Sequence, residues 1–249
     1  MRTPPGFVRT APGALVRRGF EGEAPGWWST GPDPAGASEL PPDTGGRGSV
    51  RRVPLSTGGT AYVRRYRHGG LLRHLLGELY ALWPPRAWRE LAATEAARGA
   101  GIVAPEVLAA AALPIAPGVP LSLVHRGVLV TRALDGRRAL SVALRAATDD
   151  GERRRWVQSA WREIRRLHDA GIRHPDTNVS NLLAGDDPAM GLAVIDFDRA
   201  RALGHPVGAF HRALARRRLS RSVAKLALPG LDRAGTRAAI DATACGEER

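Results

Sequence analysis

The chain has little that could hold a fold together covalently. Its single cysteine, Cys245, lies in the polar C-terminal stretch. That excludes a disulfide framework and a cysteine-based zinc site, and makes a reducing compartment the expected home. Aromatic residues make up only 5% of the sequence, too few to interleave the basic residues with stacking platforms, so no nucleic acid is expected as a partner. Long apolar runs are missing as well. The most apolar stretch, 101–124, is broken by Glu106 and by Pro105, Pro114, Pro117 and Pro120, and the N-terminus carries no apolar segment of the signal-peptide kind. Neither a leader nor a membrane-spanning helix is expected. Lysine is nearly absent: of 37 basic residues only Lys225 is a lysine.

What is abundant is arginine. A net charge of +13 and a pI near 11.4 imply a partner or surface of negative charge, a class that charge alone does not narrow. At 249 residues the chain is long enough for one large domain or two small lobes, each with its own core.

Residues 1–44 are rich in glycine and proline, with Trp27-Trp28 as the one strong apolar anchor, and read as an irregular N-terminal extension. Strand-like segments 49–55 and 60–66 then flank Ser56-Thr-Gly-Gly, a hairpin turn. From Pro85 to Arg98, Trp88, Leu91, Ala92 and Glu95 recur at helical spacing, and Gly99 stops the pattern. Residues 127–134 form a further strand that ends at Asp135-Gly136. Helices follow at 139–146 and 152–170, the second with Trp156, Ala160, Ile164 and Leu167 on one stripe and Gly171 as its C-terminal cap. A basic amphipathic helix is expected over 211–222, suited either to an anionic surface or to ordinary packing. Sheet first and helices afterwards gives an α+β, two-lobed architecture: the extension (1–44), a small antiparallel β N-lobe (45–136) and a mainly helical C-lobe (137–249).

The chemistry concentrates in His174-Pro-Asp176-Thr-Asn178-Val-Ser-Asn181 and, after an apolar run, Asp196-Phe-Asp198. Asp176 can accept a hydroxyl proton, and Asn181 and Asp196 are hard oxygen donors suited to Mg²⁺. An acid, an amide five residues later and a carboxylate after a strand supply the polar groups of phosphoryl transfer from ATP in their expected order. Asn178 orients the loop or contacts the acceptor. His174 braces the loop through a hydrogen bond or transfers a proton. Asp198 assists the metal or pairs with Arg199 or Arg201.

These motifs, with Gly46-Arg-Gly48-Ser, Val63-Arg-Arg-Tyr-Arg-His-Gly-Gly-Leu-Leu, Arg86-Ala-Trp-Arg-Glu90-Leu, Leu129-Val-Thr-Arg-Ala-Leu-Asp-Gly and Asp196-Phe-Asp-Arg-Ala-Arg, make residues 45–226 resemble the lipopolysaccharide kinase family of the protein-kinase-like superfamily. The resemblance implies a two-lobed kinase-like fold, ATP and Mg²⁺ as cofactors, and metal ligation by Asn181, Asp196 and Asp198. It implies that Gly46 and Gly48 line the phosphates and that Thr131 and Leu134 lie against adenine. Arg64 would take the place of the phosphate-pairing lysine, with Glu90 as its helix partner and Arg65 as competitor. The acceptor it implies is a hydroxyl of 3-deoxy-D-manno-octulosonic acid (Kdo) on a lipid A precursor, at the cytoplasmic face of an inner membrane. The rival readings are another acceptor, a nucleotide-binding pseudokinase, and a basic nucleic-acid module. Pro175 and Thr177 depart from the family loop, which has a small residue and leucine there.

Overall fold

A computed structural model describes residues 3–28, 38–39, 50–66, 79–80, 84–114 and 125–246. They fall into two compact units, Met1–Glu95 with Pro105–Ala133, and Ala96–Ala104 with Leu134–Arg249.

The first unit is an antiparallel sheet. Strands β4 (Val50–Pro54) and β5 (Thr60–Arg65) pair with Val53 opposite Ala61 and Arg51 opposite Val63, and bury Val53, Ala61 and Val63. The expected turn joins them, with Gly58 and Gly59 at φ of 85° and 81°, a backbone that side chains resist. β5 pairs with β8 (His125–Arg132) and β8 with β7 (Val107–Pro114). Every residue from Val107 to Ala112 is fully buried, because β7 is an interior strand covered on both faces. On one face Val107 and Ala110 meet Ala87, Trp88 and Leu91 of helix α2 (Arg86–Gly99). On the other, Leu108, Ala109 and Ala111 share a cluster with Phe20, Ala24 and Trp27. Complete burial of a side chain such as Leu91 contributes roughly 1.5–3 kcal/mol.

That second face corrects the expectation of an irregular extension. Residues 7–11 and 14–17 are strands β1 and β2, and β2 continues the sheet by pairing Ala14 with Ala111 and Val16 with Ala109. A short helix α1 (Ala24–Trp28) then lays Trp27 on the core. Two four- to five-residue strands within a glycine- and proline-rich sequence give a weak local signal, and the partner of β2 lies far along the chain. Short strands β3 (Ser38–Glu39) and β6 (Leu79–Tyr80) pair with β4 and β8.

The second unit is helical. Helix α3 (Leu140–Ala146) precedes α4 (Asp150–Asp169), which begins two residues before the expected start because Asp149 caps it: its carboxylate accepts from the Glu152 N–H at 2.7 Å. Glu152 in turn accepts from the N–H of Thr148, one residue before the cap, at 2.9 Å, a variant of the capping box. The expected stripe of Trp156, Ala160, Ile164 and Leu167 is fully buried. Gly171, at φ 73°, ends the helix, and a Cβ there would stand 2.6 Å from the His205 carbonyl oxygen. Helices α5 (Ala209–Ala224) and α6 (Arg233–Gly246) pack on α4 and on each other. α5 spans the expected basic helix, and its narrow stripe of Ala215, Leu219 and Val223 is buried within the unit, leaving Arg217 and Arg221 outward. Among the described residues no helix is long and apolar enough to cross a membrane.

Candidate active site

The loop after α4 begins with β10 (Ile172–Arg173) and ends in β11 (Leu182–Ala184), which pairs with β9 (Arg138–Ala139) on one side and β12 (Ala193–Val194) on the other. Between them the chain is held by its own polar groups. His174 is buried, its Nδ1 accepts from the Asp176 N–H at 3.2 Å, and its Nε2 lies 3.1 Å from the Ile195 carbonyl oxygen. An Nδ1 that accepts fixes the proton on Nε2, which therefore donates to Ile195. Burial holds the His174 pKa below the usual imidazole value, against the pull of that hydrogen bond and of the Asp196 and Asp176 carboxylates. Through these two hydrogen bonds the ring ties the Asp176 backbone to that of Ile195.

Asn178 closes the loop from within, its Oδ1 accepting from the Ser180 and Asn181 N–H groups at 2.9 and 3.2 Å. Asn181 Nδ2 donates to the Asp176 carbonyl at 2.9 Å, which assigns the amide orientation and turns Oδ1 away from the loop backbone. The hairpin return then brings the second motif alongside, for the Ile195 N–H donates to the Asn181 carbonyl at 3.0 Å. Ile195 is therefore clamped at both ends, to His174 and to Asn181, and Asp196 follows directly. Asp196 adopts φ 62°, ψ 61°, an uncommon left-handed conformation for a residue with a side chain. Phe197 behind it is buried with its ring centroid 5.2 Å from that of His174.

Asp176 itself carries little structural burden. Its side chain is 42% exposed, and among the described residues it meets Arg199 Nη1 at 4.0 Å. Arg199, one of the two arginines open to Asp198, thus lies within reach of Asp176. Thr177 is buried, as the leucine it replaces would be, with its hydroxyl lacking a partner among the described residues.

The first unit holds the other charged constellation. Arg64 on β5 donates through Nη2 to both carboxylate oxygens of Glu90 on α2, and Tyr66 donates its hydroxyl to the same carboxylate. Glu90 is 3% exposed, so this is a nearly buried ion pair with a third donor. The Arg64 guanidinium also sits over the Tyr66 ring, 5.0 Å from its centroid. Of the two candidate arginines, Arg64 is the one seen on Glu90. Arg65, next along the strand and on the opposite face, lies near enough to Arg51 to help depress its pKa, after burial. Tyr66 escaped the sequence reading, although its place two residues after Arg64 put it on the same strand face.

Thr131 stands on β8 between Tyr62 and Val107, and Leu134 is the half-buried first residue of the second unit's long segment. Gly46 and Gly48 lie outside the described residues.

The model of the lipopolysaccharide kinase (Kdo/WaaP) family matches residues 42–238. The chain belongs to that family. It is 31% identical over 158 residues to the 3-deoxy-D-manno-octulosonic acid kinase of Vibrio cholerae, 62% of either chain, and so spans just under two thirds of that relative's length. It is 32% identical over 207 residues to the enzyme of the same name from Xylella fastidiosa 9a5c, covering 81% of this chain and 74% of that one. Among solved structures, WaaP in complex with acyl carrier protein superposes with a TM-score of 0.55 at 19% identity, covering 82% of this chain and 77% of that one. That likeness shows the kinase-like α+β fold expected from the sequence. The matched span contains residues 45–226, which carry the resemblance.

Proposed function

We propose that this chain is an ATP- and Mg²⁺-dependent phosphotransferase that transfers the γ-phosphate to a hydroxyl of Kdo on a lipid A precursor. The observation that supports the reading is the double clamp on Ile195, which ties the loop carrying Asp176 and Asn181 to the backbone next to Asp196. Two relatives bearing the Kdo kinase name supply the acceptor class.

In this reading Asp176 accepts the proton of the acceptor hydroxyl, and its exposed, weakly engaged carboxylate suits that task. His174 positions it through the Asp176 N–H rather than by moving a proton. Asn178 holds the loop's curvature, and Asn181 and Asp196 would hold Mg²⁺, with Asp198 as a further oxygen donor. Such a donor set fits the ion: hard oxygens, few carboxylates, and an Asn181 Oδ1 turned away from its own backbone anchor. The bound nucleotide and metal supply the transferable phosphoryl group and neutralise its charge. Arg64, fixed by Glu90 and Tyr66, offers a guanidinium where the superfamily uses lysine, and its planar fork favours a bidentate grip on phosphate oxygens. Gly46 and Gly48 would let backbone approach those phosphates, and Thr131 and Leu134 would face the adenine.

The working location is the cytoplasmic face of an inner membrane, with the +13 charge drawing the chain to an anionic leaflet. Because the apolar stripe of α5 is buried, that attraction is electrostatic rather than insertion, and it weakens with salt. The test is mass spectrometry of Kdo-bearing lipid A precursor after incubation with the protein and Mg-ATP, beside a precursor without Kdo. One added phosphate that requires Kdo is the expected result. Intact nucleotide binding with no product on either acceptor contradicts the reading and favours a pseudokinase or another acceptor.

A further inference from the structure

Strands β10 and β13 (Arg201–Ala202) form a two-stranded ladder in which Arg173 stands directly opposite Arg201. Opposed residues of an antiparallel pair project from the same face, and like charges so placed repel. Neither guanidinium has a carboxylate partner among the described residues. Arg173 Nε is buried with no hydrogen-bond partner among the described residues, and its Nη1 donates to His211 Nε2 at 3.0 Å, at the start of α5. Arginine stays protonated, so that imidazole nitrogen must be the acceptor. A cation has spent one of its five donors on an imidazole. Arg212, one residue on, contrasts sharply: it is committed to Asp169 at 2.8 Å and to the Val207 carbonyl at 2.7 Å.

An unpaired like-charge pair with an unused buried donor is an arrangement that an anion would relieve. Two guanidinium forks side by side match a planar carboxylate or a phosphate ester. Position narrows the choice. Arg173 leads directly into His174 and Asp176, and Arg201 follows two residues after Arg199, which itself reaches the Asp176 carboxylate. The pair therefore stands on the two strands that lead into the loop of Asp176 and out of the segment of Asp196. The octulosonic acid in the relatives' names carries a carboxylate of its own.

We propose that Arg173 and Arg201, backed by His211, form an anion subsite that takes the carboxylate of the acceptor sugar acid and turns one of its hydroxyls toward Asp176. This rests on reading the chain as a kinase for that acid, and it adds the residues that select an acidic sugar over a neutral one. The same forks could instead grip a phosphate of the lipid A backbone, a source the experiment separates.

The test is titration calorimetry of the wild-type chain, Arg173→Gln and Arg201→Gln with free Kdo, with its methyl ester, and with the bisphosphorylated glucosamine disaccharide of lipid A lacking Kdo. Steady-state kinetics on the Kdo-bearing precursor accompany it. Loss of a charge-assisted pair predicts binding of the free acid weakened about 10- to 100-fold in either variant. The ester should bind the wild type no better than the acid binds the variants, and the disaccharide should bind all three proteins alike. In the kinetics the acceptor KM should rise by a similar factor while the KM for Mg-ATP is unmoved, and Arg217→Gln on the outer face of α5 should change neither. Equal binding of acid and ester by the wild type, or unchanged acid binding in both variants, overturns the subsite. Weakened binding of the disaccharide alone overturns the carboxylate in favour of lipid phosphate. Transfer to Kdo that survives in both variants with its acceptor KM unchanged sinks the subsite and leaves the kinase reading standing. Arginine-dependent binding of the acid without transfer by the wild type does the reverse.

Discussion

The two charged constellations of this protein are built in opposite ways. Arg64, Tyr66 and Glu90 sit on regular elements, a strand and a helix, and are brought together by packing around Trp88 and Leu91. The loop from His174 to Asn181 has almost no regular structure and is shaped by side chains bonding to nearby backbone, with Ile195 tying in the second motif. The first is stable because a nearly buried carboxylate has its partners. The second can leave Asp176 almost unencumbered because its neighbours carry the folding work. A site that must hold charge rigidly uses elements, and one that must present a reactive group uses a braced loop.

The contrast breaks most visibly at Asp176. Asp176→Asn should cut phosphate transfer by about 10²- to 10⁴-fold with an unchanged melting temperature, since the carboxylate makes only a distant ion pair. Glu90→Ala should behave oppositely, leaving Arg64 and the Tyr66 hydroxyl without their acceptor. Chemical denaturation should then show a loss of about 3 kcal/mol, and nucleotide affinity should fall with it. Gly171→Ala combines a positive φ with a Cβ 2.6 Å from the His205 carbonyl, so a cost of at least about 1 kcal/mol is expected in the same measurement. The effect that is smallest at neutral pH, and grows only below it, is a pH dependence. Burial, aided by the Arg212 charge, lowers the His168 pKa from 6.5 to about 4. The unfolded chain therefore takes up a proton near pH 6.5 that the native state refuses until about pH 4. His168 thus contributes stability that is complete above pH 6.5 and is lost as pH falls toward 4, and the depressed pKa of His174 acts with the same sign. Melting temperatures measured across that window should decline by a few degrees more in the wild type than in His168→Asn.

The same contrast explains what could be read from the residues. The polar loop from His174 to Asn181 is local in sequence, so its acid and amides stand out by their spacing, and α4 with its stripe follows from a 3.6-residue period. The choice between Arg64 and Arg65 is not local. It depends on which face of β5 meets α2, and only the packed sheet decides it. The strands at residues 7–17 were illegible for a related reason: β2 finds its partner in β7, whose alanines carry no strand propensity of their own. The ladder that opposes Arg173 and Arg201 likewise joins segments that no sequence motif connects.

The central claim is that the residues around Asp176 perform the transfer while the Arg64–Glu90 pair serves the nucleotide. It is tested most directly by measuring, on one preparation of Asp176→Asn, both the affinity for Mg-ATP by calorimetry and the transfer of labelled γ-phosphate to Kdo-bearing precursor. The account predicts nucleotide affinity within a factor of about two of the wild type, with transfer reduced at least 100-fold. Transfer at the wild-type rate, or nucleotide binding lost along with it, would contradict that division of labour.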